Sequence, residues 1–367
     1  MFGLAASRTS SKPSTRRKLS AGNATGPVGF LRVYDNAFGE IAQGGTRRGA
    51  NMAILRVDHP DIMEFIYSKS NGRELNNFNI SVGVTDAFMH AAAANQEYDL
   101  LDPRDKQPTG RLNAADVYEA LVTQAWKTGD PGIVFLDRMN ADNPTPALGE
   151  IESTNPCGEQ PLLPLEACNL GSINLAKFVV NSDRGPAVDY PALKDAIAWS
   201  IRFLDNTIDM SRYPLPEITE MVRGNRKVGL GVMGFADLLY QLGIPYNSEE
   251  ALQTAGTVMR FIQETSHETS QTLVEERGVF ANWDRSTYKD RGIKRRNATT
   301  TTIAPTGTLS IIAGCSSGIE PLFALSFVRT VMDNDKLMEV NPVFEKTAKE
   351  RGFYSPELMD QIARQGS

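Results

Sequence analysis

The chain has 367 residues with a formal net charge of −6, and 41% of its residues are hydrophobic. This acidic balance argues against a protein held to nucleic acid by bulk electrostatics, although it allows a local basic site. No apolar run approaches the roughly 18 residues that cross a bilayer, so we expect neither a nucleic-acid partner nor a membrane. Three cysteines cannot build a disulfide framework, which predicts a cytoplasmic protein, and three scattered histidines predict no metal site.

Residues 1–24 form a basic segment that is rich in serine and arginine. This composition suits an organellar transit peptide, a mobile loop that binds phosphates, or a disordered end. Through most of the remaining length, strand-like and helix-like stretches alternate, which is the pattern of an α/β fold. No internal repeat and no Gly/Ser linker divides residues 25–367, so we predict one α/β domain there.

The predicted elements follow in chain order. Strands at 51–57 and 77–84 flank a helix at 61–70. A helix that begins at 114 and ends at Gly129 leads into a buried strand at 132–137. The later elements are helices at 190–210, 232–243 and 248–278, and a β-branched strand at 299–305 that enters a turn at 305–310.

The stretch NPCGE, Asn155 to Glu159, places a thiol beside a carboxylate. A nucleophilic cysteine acts as a thiolate and needs a positive charge or a histidine base nearby. Glu159 instead disfavours the thiolate form of Cys157, and Asn155 offers hydrogen bonds without charge. The neutral S–H that results suits a hydrogen-atom donor or a thiyl-radical precursor. The alternative is an ordinary free cysteine that fills a loop as a small apolar side chain.

Two further stretches are weak signals when each is taken alone. The turn PTGTLS at 305–310 can aim backbone N–H groups at a phosphate, or it can be an ordinary strand-to-helix turn. The stretch QGGTRRGAN at 43–51 carries two arginines that can meet a phosphate or a base edge. Its alternatives are a solvated basic turn and an RNA-binding segment, although no aromatic platform supports the latter.

Together, NPCGEQPLLPLEACNLGSINLAKF, QGGTRRGANMAILRVDHPDIMEFI and APTGTLSIIAGCSSGIEPLFAL closely resemble the large catalytic subunit of ribonucleotide reductases. Their order and spacing are most similar to the class II, adenosylcobalamin-dependent branch. The likeness runs from about Thr25 to the last residue. It implies an α/β fold that is part of a ten-stranded barrel with a central finger loop. It also implies reduction of ribonucleotides to 2′-deoxyribonucleotides by thiyl-radical chemistry.

The resemblance gives roles to the residues of the NPCGE stretch. Cys157 resembles the thiyl-radical cysteine at the tip of the finger loop, which takes the 3′-hydrogen from the substrate ribose. Glu159 resembles the base on the 3′-hydroxyl, and Asn155 resembles the amide that hydrogen-bonds near the 2′ and 3′ hydroxyls. Cys168 resembles one member of the redox pair that closes to a disulfide after turnover. Substrate contacts are expected at Pro156 and Gly158 and, around the phosphates, at Pro305, Thr306, Gly307, Thr308 and Leu309.

The basic stretch resembles the specificity loop, which relays the identity of a bound deoxynucleotide effector to the active site. Gln43 and Arg47 would reach the substrate base. Residues 1–24 resemble the other effector loop, which weakens the transit-peptide alternative. Cys315 receives no catalytic role and is expected to pack. The expected specificity-loop residues are Gln43, Gly44, Gly45, Thr46, Arg47 and Arg48.

The resemblance further implies adenosylcobalamin and an external dithiol reductant such as thioredoxin or glutaredoxin. The implied ligands are a ribonucleoside di- or triphosphate substrate and a deoxynucleotide effector. In the family, the second redox cysteine lies upstream of the basic effector loop, and the chain continues past the position of Ser367. We therefore expect a barrel that lacks its first and last segments, together with complementing reductase segments or a homodimer.

Three alternatives stay open at this point. The chain can belong to a class I catalytic subunit, which receives its radical from a separate subunit, although the short interval between Cys157 and Cys168 favours class II. It can be a nucleotide-binding fragment without activity. It can also be an RNA-binding module built around Arg47 and Arg48, which the acidic balance disfavours.

Overall fold

A computed structural model describes residues 25–41, 49–72, 74–183, 185–330 and 336–365. The chain divides into two compact units. The first unit comprises Met1–Cys168, Arg212–Asn225 and Phe280–Lys294. The second unit comprises Asn169–Ser211, Arg226–Val279 and Arg295–Ser367. The prediction of one domain over 25–367 stays a prediction.

Helices and strands alternate along the described chain, which confirms the α/β class. The helices are α1 (Gly26–Glu40), α2 (Ile62–Tyr67), α3 (Asp86–Ala93), α4 (Ala114–Thr128), α5 (Leu136–Ala141), α6 (Tyr190–Met210), α7 (Pro216–Asn225), α8 (Phe235–Leu242), α9 (Glu249–Arg277), α10 (Thr287–Asp290), α11 (Gly307–Ala313), α12 (Pro342–Glu350) and α13 (Pro356–Gln365). The strands are β1 (Asn51–Arg56), β2 (Phe78–Val84), β3 (Glu97–Leu101), β4 (Pro108–Asn113), β5 (Gly132–Phe135), β6 (Ser153–Thr154), β7 (Pro161–Leu162), β8 (Asn169–Asn174), β9 (Val179–Ser182), β10 (Gly185–Val188), β11 (Val228–Met233), β12 (Ser326–Thr330) and β13 (Lys336–Val340).

The first unit contains a three-stranded parallel sheet in the order β1-β2-β5. Its register pairs Asn51 with Phe78 and Ser81 with Gly132. Successive side chains of a strand point to opposite faces, so alternate residues of β2 share one face. On that face they join a buried apolar cluster with side chains of α2 and α4: Phe78, Ile80, Val82 and Val84. Asn79 and Ser81 lie on the opposite face.

The predicted strands at 51–57 and 77–84 are confirmed as β1 and β2. The predicted buried strand at 132–137 is wrong in two respects. Strand β5 ends at Phe135, and Leu136 begins the helix α5. The strand is also not buried, since Phe135 is 45% exposed. The reason is its place at the edge of the sheet, where it pairs on one side with β2 alone.

The second unit pairs β8 with β11 in parallel, with Val228 opposite Asn169. The predicted strand at 299–305 runs beside β11 but makes a single bridge, from Thr301 to Leu230. Gly231 allows this close approach, because a Cβ atom there would lie 2.7 Å from the carbonyl oxygen of Thr302. Extended backbone therefore delivers the chain to residue 305 without a full strand.

The helices of the second unit follow the sequence closely. Helix α6 has the predicted bounds, and α9 begins after Ser248, whose side chain accepts the backbone N–H of Ala251. The helix predicted at 232–243 instead begins at Phe235, because Val232 and Met233 complete β11. Gly234, at φ 71°, makes the turn between strand and helix. No helix in the described part of the chain is long and apolar enough to cross a membrane.

Candidate functional site

Cys157 lies at the tip of a small hairpin in the first unit. Strands β6 and β7 pair antiparallel, with Ser153 opposite Leu162. Residues 155–160 connect them and are named here the Cys157 loop. The backbone N–H of Asn155 donates to the carbonyl of Gln160 at 3.2 Å, and the Gln160 N–H donates back to Asn155 Oδ1 at 2.9 Å. The base of the loop is therefore closed by two hydrogen bonds.

Inside the loop, the chain turns sharply. The N–H of Gly158 donates to the carbonyl of Asn155 at 3.0 Å, which closes a tight turn around Pro156 and Cys157. Gly158 has φ +88°, a conformation that L side chains rarely adopt. The two residues predicted as substrate contacts, Pro156 and Gly158, are thus the residues that shape the loop. Their contact with substrate stays a prediction.

The Cys157 loop borders a cavity of about 360 Å³ in the first unit. Asn79 and Ser81 of β2 contribute polar atoms to its wall, and Pro156, Cys157 and Gly158 form another part of it. Asn79 Nδ2 donates a hydrogen bond to the carbonyl oxygen of Pro156 at 2.7 Å. The reactive side chain is therefore presented to an open space rather than packed in a core.

The surroundings of Cys157 favour the neutral S–H form of its thiol. Its side chain is exposed, yet partial burial by the loop raises its pKa above the ordinary value, and the charge of Glu159 raises the pKa further. The sequence predicted this direction from Glu159 alone. The structure adds partial burial as the larger cause. A neutral S–H is a poor nucleophile but a suitable source of a hydrogen atom.

Asn155 and Glu159 flank the thiol and are both half-buried. The Oδ1 atom of Asn155 accepts the loop hydrogen bond from Gln160, so the Nδ2 group is the part of that amide that remains to donate to a substrate hydroxyl. One carboxylate oxygen of Glu159 is buried. The loop thus brings together the amide, the thiol and the carboxylate that the sequence grouped. Their catalytic roles stay predictions.

Cys168 ends the first of the three segments that make up the first unit and is half-buried. The segment before it is held by Glu166, which accepts hydrogen bonds from the Leu163 N–H at 2.8 Å and from Asn225 Nδ2 at 2.7 Å. Cys157, Cys168 and Cys315 are all free thiols in the structure. Glu166 and Asn225, which sequence reasoning missed, therefore fix the chain between the two predicted catalytic cysteines.

The predicted phosphate turn, residues 305–309, lies in the second unit and enters α11. Thr306 precedes the helix at φ 55°, and its Oγ1 atom accepts the backbone N–H of Gly318 at 2.7 Å. The first residues of the helix, Gly307, Thr308 and Leu309, are exposed. Because the first N–H groups of a helix lack acceptors within it, they are available to an anion. Phosphate binding by this turn stays a prediction.

Cys315 follows α11 in the second unit and is half-buried. Burial and the charge of Asp237 raise its pKa to about 11, and Lys177 lowers it slightly in return. The Ser316 N–H donates to Asp237 Oδ2 at 2.6 Å, which fixes this part of the chain to α8. These contacts agree with a packing role for Cys315. The specificity-loop residues Gln43 to Arg48 and residues 1–24 lie outside the described residues.

The resemblance implied a cysteine at the tip of a finger loop inside an α/β barrel, and the structure places Cys157 at the tip of a hairpin in an α/β unit. The chain belongs to the ribonucleotide reductase barrel-domain family, whose family model matches residues 3–367. This membership confirms the predicted fold as part of that barrel. Within the described residues, the sheets have two or three strands and form no closed barrel.

Individual relatives of the chain carry more specific names than the family. The chain is 55% identical over 347 residues to a vitamin B12-dependent ribonucleoside-diphosphate reductase of Thermoplasma acidophilum, covering 94% of this chain and 45% of that protein. A protein of the same name from Mycobacterium tuberculosis is 50% identical over 348 residues, covering 95% of the chain and 49% of that protein. The ribonucleoside-diphosphate reductase subunit alpha of Chlamydia pneumoniae is 28% identical, and the match covers 93% of this chain and 39% of that protein. The chain thus spans about half the length of the first two relatives.

Proposed function

We propose that this chain carries the radical site of a class II ribonucleotide reductase, which forms 2′-deoxyribonucleotides as DNA precursors. The observation that carries the proposal is the Cys157 thiol, which is exposed at a hairpin tip, borders a cavity and is protonated because of partial burial and Glu159. The names of the relatives at 50% and 55% identity support the vitamin B12-dependent type.

The residues around Cys157 fit adenosylcobalamin as the radical source. A cofactor radical needs a neutral S–H that it can reach, and the thiol is both protonated and exposed. When bound, adenosylcobalamin would supply the radical that starts the reaction. Cys157 would give up its hydrogen atom to that radical, since its side chain is exposed and borders the cavity.

The chain's own residues account for half of the reductant that the reaction needs. The Cys157 sulfur takes the 3′-hydrogen atom of the ribose and later returns it, while Glu159 accepts the 3′-hydroxyl proton. The 2′-hydroxyl leaves as water, and two thiols are oxidised to a disulfide for each deoxyribonucleotide formed. Cys168 supplies one of those thiols. A complementing reductase segment supplies the other, and an external dithiol such as thioredoxin or glutaredoxin reduces the disulfide.

The substrate and the partners are proposed on the same basis. Ribonucleoside diphosphates are the proposed substrates, since the relatives at 55% and 50% identity are both named ribonucleoside-diphosphate reductases. Their phosphates would bind the exposed start of α11. A deoxynucleotide effector would contact the loop at 43–48, with a homodimer or complementing segments completing the site. We propose a cytoplasmic location, which the absence of disulfides among the three cysteines supports.

Exchange of tritium between the 5′ position of labelled adenosylcobalamin and water tests the proposal. The assay is anaerobic and contains an effector deoxynucleotide and a dithiol. Exchange requires the cofactor and one thiol whose S–H equilibrates with water, so it does not require the second redox cysteine. We expect exchange with the parent chain and none with Cys157→Ala, whereas the control Cys315→Ala should exchange at the parent rate.

Equal exchange in Cys157→Ala would contradict the assignment of the radical thiol. Absence of exchange in the parent chain, persisting after complementing segments are added, would contradict the adenosylcobalamin-dependent type. That result would favour the alternative in which a separate subunit generates the radical, as in class I. Binding of nucleotide without exchange or reduction under all these conditions would identify an inactive fragment.

A further inference from the structure

Asn79 breaks the pattern of the strand that carries it. The other residues of β2 are buried, whereas Asn79 is exposed. Asparagine is depleted in strands, because its side chain competes with the backbone for hydrogen bonds and packs poorly on a pleated surface. A residue that violates a local preference within a well-formed element often marks a functional position. The question is therefore what the Asn79 side chain does.

Its amide group contacts the residue that precedes the predicted radical cysteine. Asn79 Nδ2 donates to the carbonyl oxygen of Pro156 at 2.7 Å, which fixes the plane of the Pro156–Cys157 peptide. The two hydrogen bonds between Asn155 and Gln160 close only the base of the loop. The Asn79 bond ties the tip of the loop to the sheet, beside the cavity that Cys157 borders.

Ser81 provides an internal comparison. It lies two residues along β2, on the same face, and lines the same cavity, yet it is buried, and the hydrogen bond to the carbonyl of Pro156 comes from Asn79. Gly132, its partner in β5, leaves room for the hydroxyl, since a Cβ atom there would lie 2.8 Å from Ser81 Oγ. The two positions share the strand, the face and the cavity but differ in the bond to Pro156.

We propose that Asn79 is a positioning residue for Cys157, which holds the sulfur at the cavity by donating to the carbonyl of Pro156. The bond itself is independent of the reaction, whereas its importance for radical chemistry rests on the proposed function. Asn79 makes no proposed contact with substrate or cofactor. It acts through the loop.

Alkylation by iodoacetamide at pH 8, followed at each cysteine by peptide mass spectrometry, tests the bond without cofactor or nucleotide. Asn79→Leu keeps the approximate shape and removes the donor, and Asn79→Ala removes both. In each, we expect Cys157 to react about fivefold faster, the shift that loss of one ordinary hydrogen bond produces. A released loop exposes the sulfur to water and moves it from Glu159, so more thiolate forms.

The controls separate positioning from general loosening. Asn79→Gln keeps an amide donor and should react at a rate between those of the parent and Asn79→Leu, and Ser81→Ala should match the parent. Cys168 and Cys315 should keep their parent rates in every variant. Unchanged Cys157 rates in Asn79→Leu and Asn79→Ala would overturn the proposal. So would an equal rise in Ser81→Ala, or a parallel rise at all three cysteines, which would show a role in folding alone.

Tritium exchange from adenosylcobalamin then connects the bond to the reaction. We expect Asn79→Leu to lower the exchange rate at saturating cofactor about fivefold, with the half-saturating cofactor concentration unchanged. A rise in that concentration with no change in the maximal rate would instead show a binding role and overturn positioning. If the parent chain shows no exchange, the proposed function fails, while the alkylation rates still decide whether Asn79 holds the loop.

Discussion

The Cys157 loop (155–160) and the predicted phosphate turn (305–309) expose different parts of the chain. The first closes with the side chain and backbone of Asn155 and exposes a reactive side chain at its tip. The second closes with Thr306 Oγ1 on the Gly318 N–H and exposes the backbone at the start of α11. In the first the residue type would carry the proposed function, whereas in the second the backbone conformation would carry it.

This difference predicts how each loop fails. A substitution in the phosphate turn should lower the free energy of unfolding, because it disturbs the conformation that orients the N–H groups. A substitution beside Cys157 should leave stability nearly unchanged and alter the pKa of the thiol. The four substitutions below test that contrast, from the largest expected effect to the smallest.

The largest effect is expected at Asp205, which supports the chain that leads into the phosphate turn. It is fully buried and accepts hydrogen bonds from Arg226 Nε at 2.8 Å, Arg277 Nη1 at 2.9 Å and Asn297 Nδ2 at 3.0 Å. Asp205→Ala would leave the buried Arg226 with Asp209 as its remaining carboxylate and would remove the Asp205 carboxylate from Arg277, so we expect a loss of about 3–5 kcal/mol in chemical unfolding.

The pH dependence of that loss provides its control. Burial raises the pKa of Asp205, but the hydrogen bond and charge of Arg226 and the charge of Arg296 lower it by more, so the net shift is downward. The stabilisation is therefore complete above the unfolded pKa of about 3.9 and disappears as pH falls through the lower folded pKa. The difference in the free energy of unfolding between the parent and Asp205→Ala should therefore become smaller below about pH 4. A gap that is independent of pH would contradict the ionic origin.

The second effect is expected at Gly318, which closes the phosphate turn. A Cβ atom there would lie 2.9 Å from the carbonyl oxygen of Ala304, and the residue has φ +47°. Gly318→Ala therefore combines a steric clash with backbone strain and should cost about 2–3 kcal/mol in thermal or chemical unfolding. Gly314→Ala is the matched control, because its φ is +62° but nothing lies within 4 Å of an added Cβ. Equal losses in the two variants would show that strain alone matters.

The third effect is expected at Thr306. Thr306→Val keeps the β-branched shape but removes the Oγ1 acceptor of the 2.7 Å bond from Gly318. Loss of one such bond should cost about 1 kcal/mol in chemical unfolding, and Thr306→Ser, which keeps the hydroxyl, should cost less. Similar losses in Thr306→Val and Thr306→Ser would assign the stability to the methyl group instead.

The same contrast explains which parts of the molecule the sequence could predict. Helix α6 has its predicted bounds because its buried residues, such as Leu193, Ile197 and Ile201, recur at helical spacing. The prediction that β5 is buried was wrong, because burial depends on whether a strand lies at the edge or in the centre of its sheet. That position follows from the order of the strands, which the apolar content of one strand does not reveal. The stretch at 299–305 has β-branched residues but bridges to β11 once, at Thr301.

The candidate site divides in the same way. Asn155, Cys157 and Glu159 could be selected because their stretch, together with the two others, resembles ribonucleotide reductases, whereas the pentapeptide alone left an ordinary free cysteine open. Asn79 could not, since it reaches Pro156 across a sequence separation of 77 residues and belongs to no local motif. Gly318 likewise acts through a backbone angle. The one available signal for Asn79 was an asparagine, a residue type that strands disfavour, inside a strand of mostly apolar residues.

The smallest effect on stability is expected at Glu159, where the chemical effect is the informative one. Glu159→Gln removes the negative charge that contributes to the raised pKa of Cys157, and partial burial remains as the larger cause. The pKa of Cys157 should therefore fall but stay above the ordinary value, which the pH dependence of Cys157 alkylation measures. The free energy of unfolding should change by less than about 0.5 kcal/mol. A large loss of stability with no change in that pH dependence would reverse the contrast, because the Cys157 loop would then behave as the phosphate turn does.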